Sequence, residues 1–218
     1  EQVCVPASGL RKIPESMNFK TASGFPMVYS TSYYALKQRA NLQPGETLLV
    51  LGASGGVGVT AVELGKLMGA QVIAGASSEE KLQFAKKAGA DFLINYSDGD
   101  LKTKIKELTK GKGADVIYDP VGGDLFDQAT RCINWNGRLL VVGFTSGRIP
   151  KYKANLALLK GASMVGVFLG RWMKEEPEAY EENMDELLEF FKQGKIKPAL
   201  YQSFKMNDFV SAFNVFKE

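Results

Sequence analysis

Between Thr47 and Phe168, short apolar runs alternate with longer stretches of helical periodicity. The runs Thr47–Leu51, Gln71–Ala76, Asp91–Asn95, Ala114–Tyr118, Arg138–Val142 and Ser163–Phe168 are continuous rather than polar at every second place. Continuous apolar runs predict strands buried on both faces. The spacing between them predicts helices over Gly56–Met68, Ser78–Ala88, Leu101–Thr109 and Asp124–Ile133, and a short one over Asn155–Lys160. Ser78 is of N-cap type, with Glu79 and Glu80 in the first turn. Strands alternating with helices in this way predict an α/β fold with a doubly wound six-stranded parallel sheet.

The flanks break this rhythm. Residues 1–25 read as irregular, with Val3-Cys-Val5 a short strand and Gly9–Pro14 and Gly24-Phe-Pro26 as loops. A helix is expected over Met27–Arg39, its apolar face carrying Tyr29, Tyr33, Ala35 and Leu36, followed by a Pro-Gly turn over Leu42–Glu46. After Gly170 the alternation stops. A helix over Glu178–Lys192, a strand over Leu200–Phe204 and a helix over Asn207–Phe216 are expected there. The domains so defined are 1–25, 26–170 and 171–218.

Composition narrows the chemistry by what is missing. The 218 residues hold no histidine and only two cysteines, Cys4 and Cys132. A histidine-based triad or general base is therefore excluded. A zinc site, which draws on several Cys, His or carboxylate ligands, is not expected, so the metal assignment is none. Two isolated cysteines suit a reducing compartment, cytoplasm or mitochondrial matrix, better than a disulfide scaffold. The first residues have neither signal-peptide nor transit-peptide character. No apolar stretch of about 18 residues exists, so no membrane partner is expected. The net charge of +3 is small. The basic run Lys102-Thr-Lys-Ile-Lys106 reads as a solvated helix face, and a nucleic-acid partner is not expected.

The segment Thr47-Leu-Leu-Val-Leu-Gly-Ala-Ser-Gly-Gly-Val-Gly58 carries the positive signal. An apolar strand runs into a glycine cluster and on into a helix. Aligned to G-x-G-x-x-G it reads Ala53-Ser-Gly55-Gly-Val-Gly58, with Ala in the first glycine place. Gly55 lets the backbone approach a pyrophosphate, and Gly58 lets the helix pack close to the strand. The helix start offers free N–H groups and partial positive charge to an anion, so Ser54, Gly55, Gly56 and Val57 are candidate contacts. No Lys-Ser or Lys-Thr follows Gly58, which excludes a P-loop.

The end of the second strand bears on which dinucleotide. A ribose 2′-hydroxyl commonly meets an acid there, about 20 residues past the glycines. This strand instead ends Ala74-Gly-Ala-Ser-Ser78, with Lys81 one turn on. Hydroxyls, a helix start and a lysine favour a 2′-phosphate, hence NADP(H), although Ser78 as a simple cap accounts for part of the pattern. Tyr96 follows strand three, where it suits either the 2′-phosphate and adenine or ordinary packing. Asp119-Pro-Val-Gly-Gly123, Gly143-Phe-Thr-Ser-Gly147 and Phe168-Leu-Gly170 end strands four to six at the edge where ligands bind in such sheets. By spacing alone they are tight turns.

Together these residues resemble the quinone oxidoreductase (zeta-crystallin-like) branch of the medium-chain dehydrogenases/reductases. The segments that carry the resemblance are Leu42–Glu46, Gly52–Gly58, Gly89–Tyr96, Tyr118–Gly123, Leu140–Gly147 and Asn155–Lys160, in order along the chain. The resemblance implies a Rossmann fold with remnants of a GroES-like catalytic domain at both ends. It implies zinc-free, NADPH-dependent reduction of a small-molecule quinone or α,β-unsaturated carbonyl. Ser77, Ser78, Lys81 and Tyr96 match the family's 2′-phosphate residues, and Thr31 matches a threonine near the nicotinamide. Val121, Phe144, Thr145, Phe168 and Gly170 match loops that meet the nicotinamide end. A homodimer through edge strand 163–168 is implied as well. Family members begin with a GroES-like domain of on the order of 100 residues. This chain matches from partway through that domain and stops before the last family segment, so the resemblance implies that most of the substrate pocket lies outside it. Thr31 and Tyr34 are the catalytic candidates, Tyr34 as a proton donor to an enolate. The alternative class is an NADPH-binding module without turnover, acting as a sensor, scaffold or RNA-binding protein.

Overall fold

The computed structural model describes residues 3–215. Six strands form one sheet: β1 Thr47–Val50, β2 Gln71–Ala76, β3 Phe92–Asn95, β4 Ala114–Asp119, β5 Ile133–Val141 and β6 Ser163–Gly166. The order is β3-β2-β1-β4-β5-β6 and every pairing is parallel. That is the doubly wound dinucleotide-binding order, with the strand order reversing between β1 and β4. The helices are α1 Phe19–Tyr34, α2 Gly56–Leu67, α3 Glu79–Lys87, α4 Leu101–Leu108, α5 Gly123–Cys132, α6 Ala154–Lys160, α7 Leu169–Glu175, α8 Pro177–Lys192 and α9 Phe209–Asn214.

The continuous apolar runs are explained by two cores, one on each side of the sheet. Leu48 and Val50, Val72 and Ala74, Val116 and Tyr118, and Leu140 face a core built with α1, α2 and α8. The residues between them, Leu49, Ile73, Ile117 and Leu139, face a second core with Leu101 and Ile105 of α4 and Phe126 and Ala129 of α5. Alternate side chains point to opposite faces of a strand, so a strand covered on both faces has no place for a polar position. The Pro44-Gly45 turn forms as expected, with Gly45 at φ 84°. It presents Glu46 to Arg138, whose Nη1 and Nη2 donate to Oε1 and Oε2 at 2.8 and 2.7 Å while its Nε donates to the Ala40 carbonyl at 3.0 Å. Burial would raise the Glu46 carboxyl, but the Arg138 fork and the Gln43 amide outweigh it and hold it below the usual carboxylate range. This clamp fastens the entry to β1 against β5.

Several expectations are corrected. Gly24-Phe-Pro26 is not a loop. The helix expected from Met27 begins at Phe19, capped by Asn18, whose Oδ1 accepts from the Thr21 amide at 2.9 Å. Pro26 costs one ladder donor, yet Phe25 stacks on Tyr29 at 4.5 Å, meets Phe191 edge-on and is fully buried. That burial keeps the helix continuous through the proline. Its last turn, Ala35–Arg39, widens to a π-helix. Strand five starts at Ile133 rather than Arg138, because Ile133 pairs with Ala114 before the ladder jumps to Arg138 and Val116. The intervening Asn136-Gly137, with Asn136 at φ 57°, forms an irregularity within the strand. Strand six ends at Gly166, and α7 occupies a stretch for which no helix was expected. Val3–Val5 and Leu200–Phe204 are not strands. Among the described residues no strand pairs with either, and Val3 and Tyr201 are 83% and 79% exposed. The expected terminal helix over Asn207–Phe216 is a 3₁₀ turn, Met206–Asp208, followed by α9. Phe216, with residues 1–2 and 217–218, lies outside the described residues.

Candidate functional site

Parallel register brings the ends of all six strands to one edge. Val50 pairs with Ala74 and Tyr118, Asp119 with Val141, Val141 with Gly166, and Ala76 with Asn95. The segments that follow these residues therefore line up along the carboxyl edge. They are Ser77 and Tyr96, the glycine turn, Pro120–Gly122, Gly143–Thr145 and Val167–Gly170.

The glycine turn sits at the centre. Its tightest requirement is steric. A Cβ on Gly58 would lie 2.1 Å from the Gly52 carbonyl oxygen and 2.9 Å from the Ala53 Cα. Gly52 makes the turn itself, at φ 58°, where an L residue is strained, and a Cβ there would touch Val121 at 3.0 Å. The alignment that put Ala53 in the first glycine place thus missed the residue that turns the chain, one position earlier. Gly55 is the N-cap of α2 and provides no side-chain cap. Gly55 and Gly56 are exposed, and Ser54 and Val57 are half-buried. The first turn of α2 therefore presents backbone N–H groups to an open edge, the arrangement that receives a phosphate. The exposed backbone of Gly55 and Gly56, set by the close approach of Gly58 to Gly52, fits a pyrophosphate.

At the next position along the edge, Ser78 caps α3, its Oγ accepting from the Lys81 amide at 3.3 Å. Capping thus occupies one lone pair of this hydroxyl. Ser77 and Lys81 are exposed, and the Lys81 ammonium has no ion-pair partner among the described residues. Glu79 is turned along its helix, where Oε1 accepts from the Gln83 amide at 2.6 Å. Tyr96 is half-buried beside Gly75, whose Cβ would lie 3.4 Å from the ring. Burial raises its phenol above the usual range, and a hydrogen bond to the Ser77 side chain partly offsets this.

On the other side of the glycine turn, Asp119 is buried and accepts from the Val121 and Gly122 amides at 2.8 and 2.9 Å. Burial raises its carboxyl, and the Gly122 and Val121 amides pull it partly back. Its Oδ1 accepts both bonds and shapes the loop, which sets Val121 against Gly52 and leaves Phe144 partly exposed beside Gly122. The Thr145 amide and hydroxyl both donate to the Pro120 carbonyl, at 3.1 and 3.2 Å. Phe168 caps the start of α7 and is 72% exposed, and Gly170 lies in the first turn of that helix.

Thr31 and Tyr34 lie on α1, which packs against the start of α2 through Val28 and Ser32. The Thr31 hydroxyl donates to the Met27 carbonyl at 2.7 Å within its own helix. Tyr34 stacks on Trp172 at 4.2 Å and is 8% exposed. Burial raises its phenol, the Arg39 charge lowers it in part and Glu176 adds to the rise. A buried phenol held neutral retains its proton at neutral pH.

Sequence reasoning missed the hydroxyls that hold α1 against the start of α2. The Ser32 Oγ donates to the Val57 carbonyl at 2.8 Å and lies 2.8 Å from Thr60 Oγ1 and 3.0 Å from the Tyr118 hydroxyl. Thr60 also donates to the Val28 carbonyl at 3.2 Å. All three are buried. The available signal was polar residues on the inward face of otherwise apolar elements. Among the described residues, no three His, Cys, Asp or Glu side chains cluster to hold a metal.

The matched segments lie in this same architecture in known proteins. Residues 56–189 match the family described as zinc-binding dehydrogenase. The quinone oxidoreductase-like protein 2 homolog of Nematostella vectensis is 44% identical over 217 residues, which are 99% of this chain and 59% of that one. The chain belongs to the quinone oxidoreductase branch of the medium-chain dehydrogenases/reductases. It thus spans about three fifths of the length of that curated relative. A solved quinone oxidoreductase of Pseudomonas syringae pv. tomato superposes on this medium-chain fold with a TM-score of 0.90 at 29% identity, covering 97% of this chain and 65% of the other. The Escherichia coli quinone oxidoreductase, solved with NADPH, gives 0.80 at 30% identity, over 87% of this chain and 58% of its own.

Proposed function

We propose that this chain is the cofactor-binding part of an NADPH-dependent reductase that passes a hydride to a quinone or an α,β-unsaturated carbonyl. The observation that carries the reading is the glycine-limited turn opening onto uncapped N–H groups of α2, with the unpaired Lys81 and no acid in the 2′-hydroxyl position at the neighbouring strand end. In this reading the backbone of Ser54, Gly55, Gly56 and Val57 holds the pyrophosphate. Ser77, Ser78, Lys81 and Tyr96 hold the 2′-phosphate. Val121, Phe144, Thr145, Phe168 and Gly170 shape the nicotinamide end beside Thr31. Residues 26–170 are then the nucleotide-binding unit, and residues 1–25 and 171–218 belong with the catalytic part.

When bound, the nicotinamide supplies a hydride. The protein's share is orientation and the exclusion of water. A quinone takes its protons from solvent once reduced, so no side-chain acid is required. An enone needs a proton on the enolate, and Tyr34 is the chain's candidate donor. The test is NADPH oxidation by the intact protein with a panel of quinones and enones, followed at 340 nm. Acceptor-dependent oxidation is the expected result. Cofactor binding without turnover of any acceptor would favour a non-catalytic module instead.

The sheet edge supports a homodimer. β6 is an outer strand with Ser163, Met164 and Gly166 exposed, and exposed apolar edges pair. Light scattering at micromolar concentration is expected to give twice the monomer mass, and a monomer would overturn this. No helix among the described residues is long and apolar enough to cross a membrane. Both cysteines are free, which is compatible with a reducing compartment, cytoplasm or mitochondrial matrix.

A further inference from the structure

The basic run Lys102–Lys106 was expected to be a solvated helix face, and its lysines differ in exposure. Lys102 is exposed. Lys104 is half-buried and reaches back from α4 to the carboxyl edge, where its Nζ donates to the Asn95 carbonyl at 2.8 Å. Asn95 is the last residue of β3 and pairs with Ala76, the last residue of β2. The Lys104 ammonium therefore lies at the end of β3, where the chain leaves into Tyr96, and the neighbouring strand β2 leaves into Ser77. These two exits are joined: the Ser97 hydroxyl donates to the Ser77 carbonyl at 3.0 Å, and the Ser97 amide to Asn95 Oδ1 at 3.0 Å. No carboxylate pairs with Lys104 among the described residues. A carbonyl engages one of its three protons and cancels none of its charge.

We infer that Lys104 is a second cation for the 2′-phosphate, acting from the β3–α4 connection while Lys81 acts from the β2–α3 connection. This rests on the NADPH reading above. Lys81 and Lys104 place one cation on each connection, alongside the acids Glu79, Glu80, Asp98 and Asp100, and the group that gains from the two cations is the dianionic phosphate that distinguishes NADPH from NADH. Placement by the Asn95 carbonyl also explains why this lysine, and not Lys102, has the role. At surface screening, one unit charge within several Å of a dianion is worth about 3- to 10-fold in affinity.

The test compares NADPH and NADH dissociation constants for the wild-type chain, Lys104→Gln and Lys102→Gln, which remove the same charge from the same helix. Lys104→Gln is expected to weaken NADPH about 3- to 10-fold and leave NADH within about twofold. Lys102→Gln should leave the NADPH/NADH ratio unchanged, and Lys104→Arg should retain it. Competition by 2′,5′-ADP should weaken with Lys104→Gln, whereas competition by 5′-AMP should not. Should Lys104→Gln fail to fold, Lys104→Met, which keeps the aliphatic stem, gives the same comparison. An unchanged ratio in Lys104→Gln, or an equal change in Lys102→Gln, would overturn the inference. A wild-type chain that binds NADH as well as NADPH would instead overturn the reading on which it rests.

Discussion

Gly58→Ala is expected to abolish dinucleotide binding and to lower stability by about 3 kcal/mol. The added methyl would lie 2.1 Å from the Gly52 carbonyl oxygen and 2.9 Å from the Ala53 Cα and Gly52 carbonyl carbon. All three are backbone atoms of the strand exit, so no rotamer relieves the clash. Relief requires α2 to move away from the turn. That movement pulls against Ser32, which donates to Val57 O, and against Thr60, which donates to Val28 O. Overpacking of this kind costs about 1–3 kcal/mol, and each buried hydrogen bond that is strained adds about 1 kcal/mol. In a chain of this size the sum corresponds to a fall in Tm of about 6–12 °C. The loss of binding is expected to exceed the loss of stability in consequence, because the same shift withdraws the amides of Gly56 and Val57 from the pyrophosphate. Thermal melting and NADPH fluorescence titration check both. Wild-type affinity for NADPH in Gly58→Ala would show that the cofactor does not sit on this turn.

Lys81→Ala is expected to weaken NADPH about 10- to 100-fold, the value of a charge-assisted hydrogen bond of about 1.5–3 kcal/mol, while NADH changes by less than about twofold. The side chain is exposed and unpaired among the described residues, and its backbone amide is already held by Ser78. Truncation therefore removes a charge without unfolding the cap. The acids on either side do not replace or neutralise it, since Glu79 is engaged by Gln83 along the helix and Glu80 makes no ion pair with Lys81. Fluorescence titration of both cofactors in parallel is the measurement. Equal losses for NADPH and NADH would remove Lys81 from the 2′-phosphate site and leave the glycine turn as the only support for a nucleotide.

The sheet was legible because its signals are local and redundant. Each of β1, β2 and β4 is a short continuous apolar run that ends at a glycine, a serine or an aspartate, and burial on both faces permits little else. The glycine turn was legible for the same reason, although sequence pattern identified Gly55 and Gly58 and passed over Gly52. A pattern records spacing, whereas the positive φ of Gly52 comes from the path of the chain. What was misread depended on distant partners. Gly24-Phe-Pro26 carries the composition of a loop, and only the packing of Phe25 on Tyr29 and Phe191 makes it helical. Leu200–Phe204 has the composition of a strand and finds no neighbour to pair with. The helix expected to reach Ile133 gives way there to β5, because Ile133 finds its partner Ala114 on β4.

Of the candidate site, residue types, their order along the chain and the cap at Ser78 were visible beforehand, and other roles were not. Asp119 proved to be a brace for the loop that follows it, and Thr31 a donor to its own helix. Lys104 gained importance that its sequence neighbours Lys102 and Lys106 did not.

The sequence by itself determined the alternation of strand and helix, the parallel sheet and the family, because periodicity and glycine spacing act within a few residues. Tertiary structure alone decided which hydroxyls lock α1 to α2, which lysine reaches the end of β3 and which apolar edge is left uncovered. Those outcomes depend on contacts between residues as much as 86 positions apart, as in Ser32 and Tyr118. Only folding brings such groups to hydrogen-bond distance.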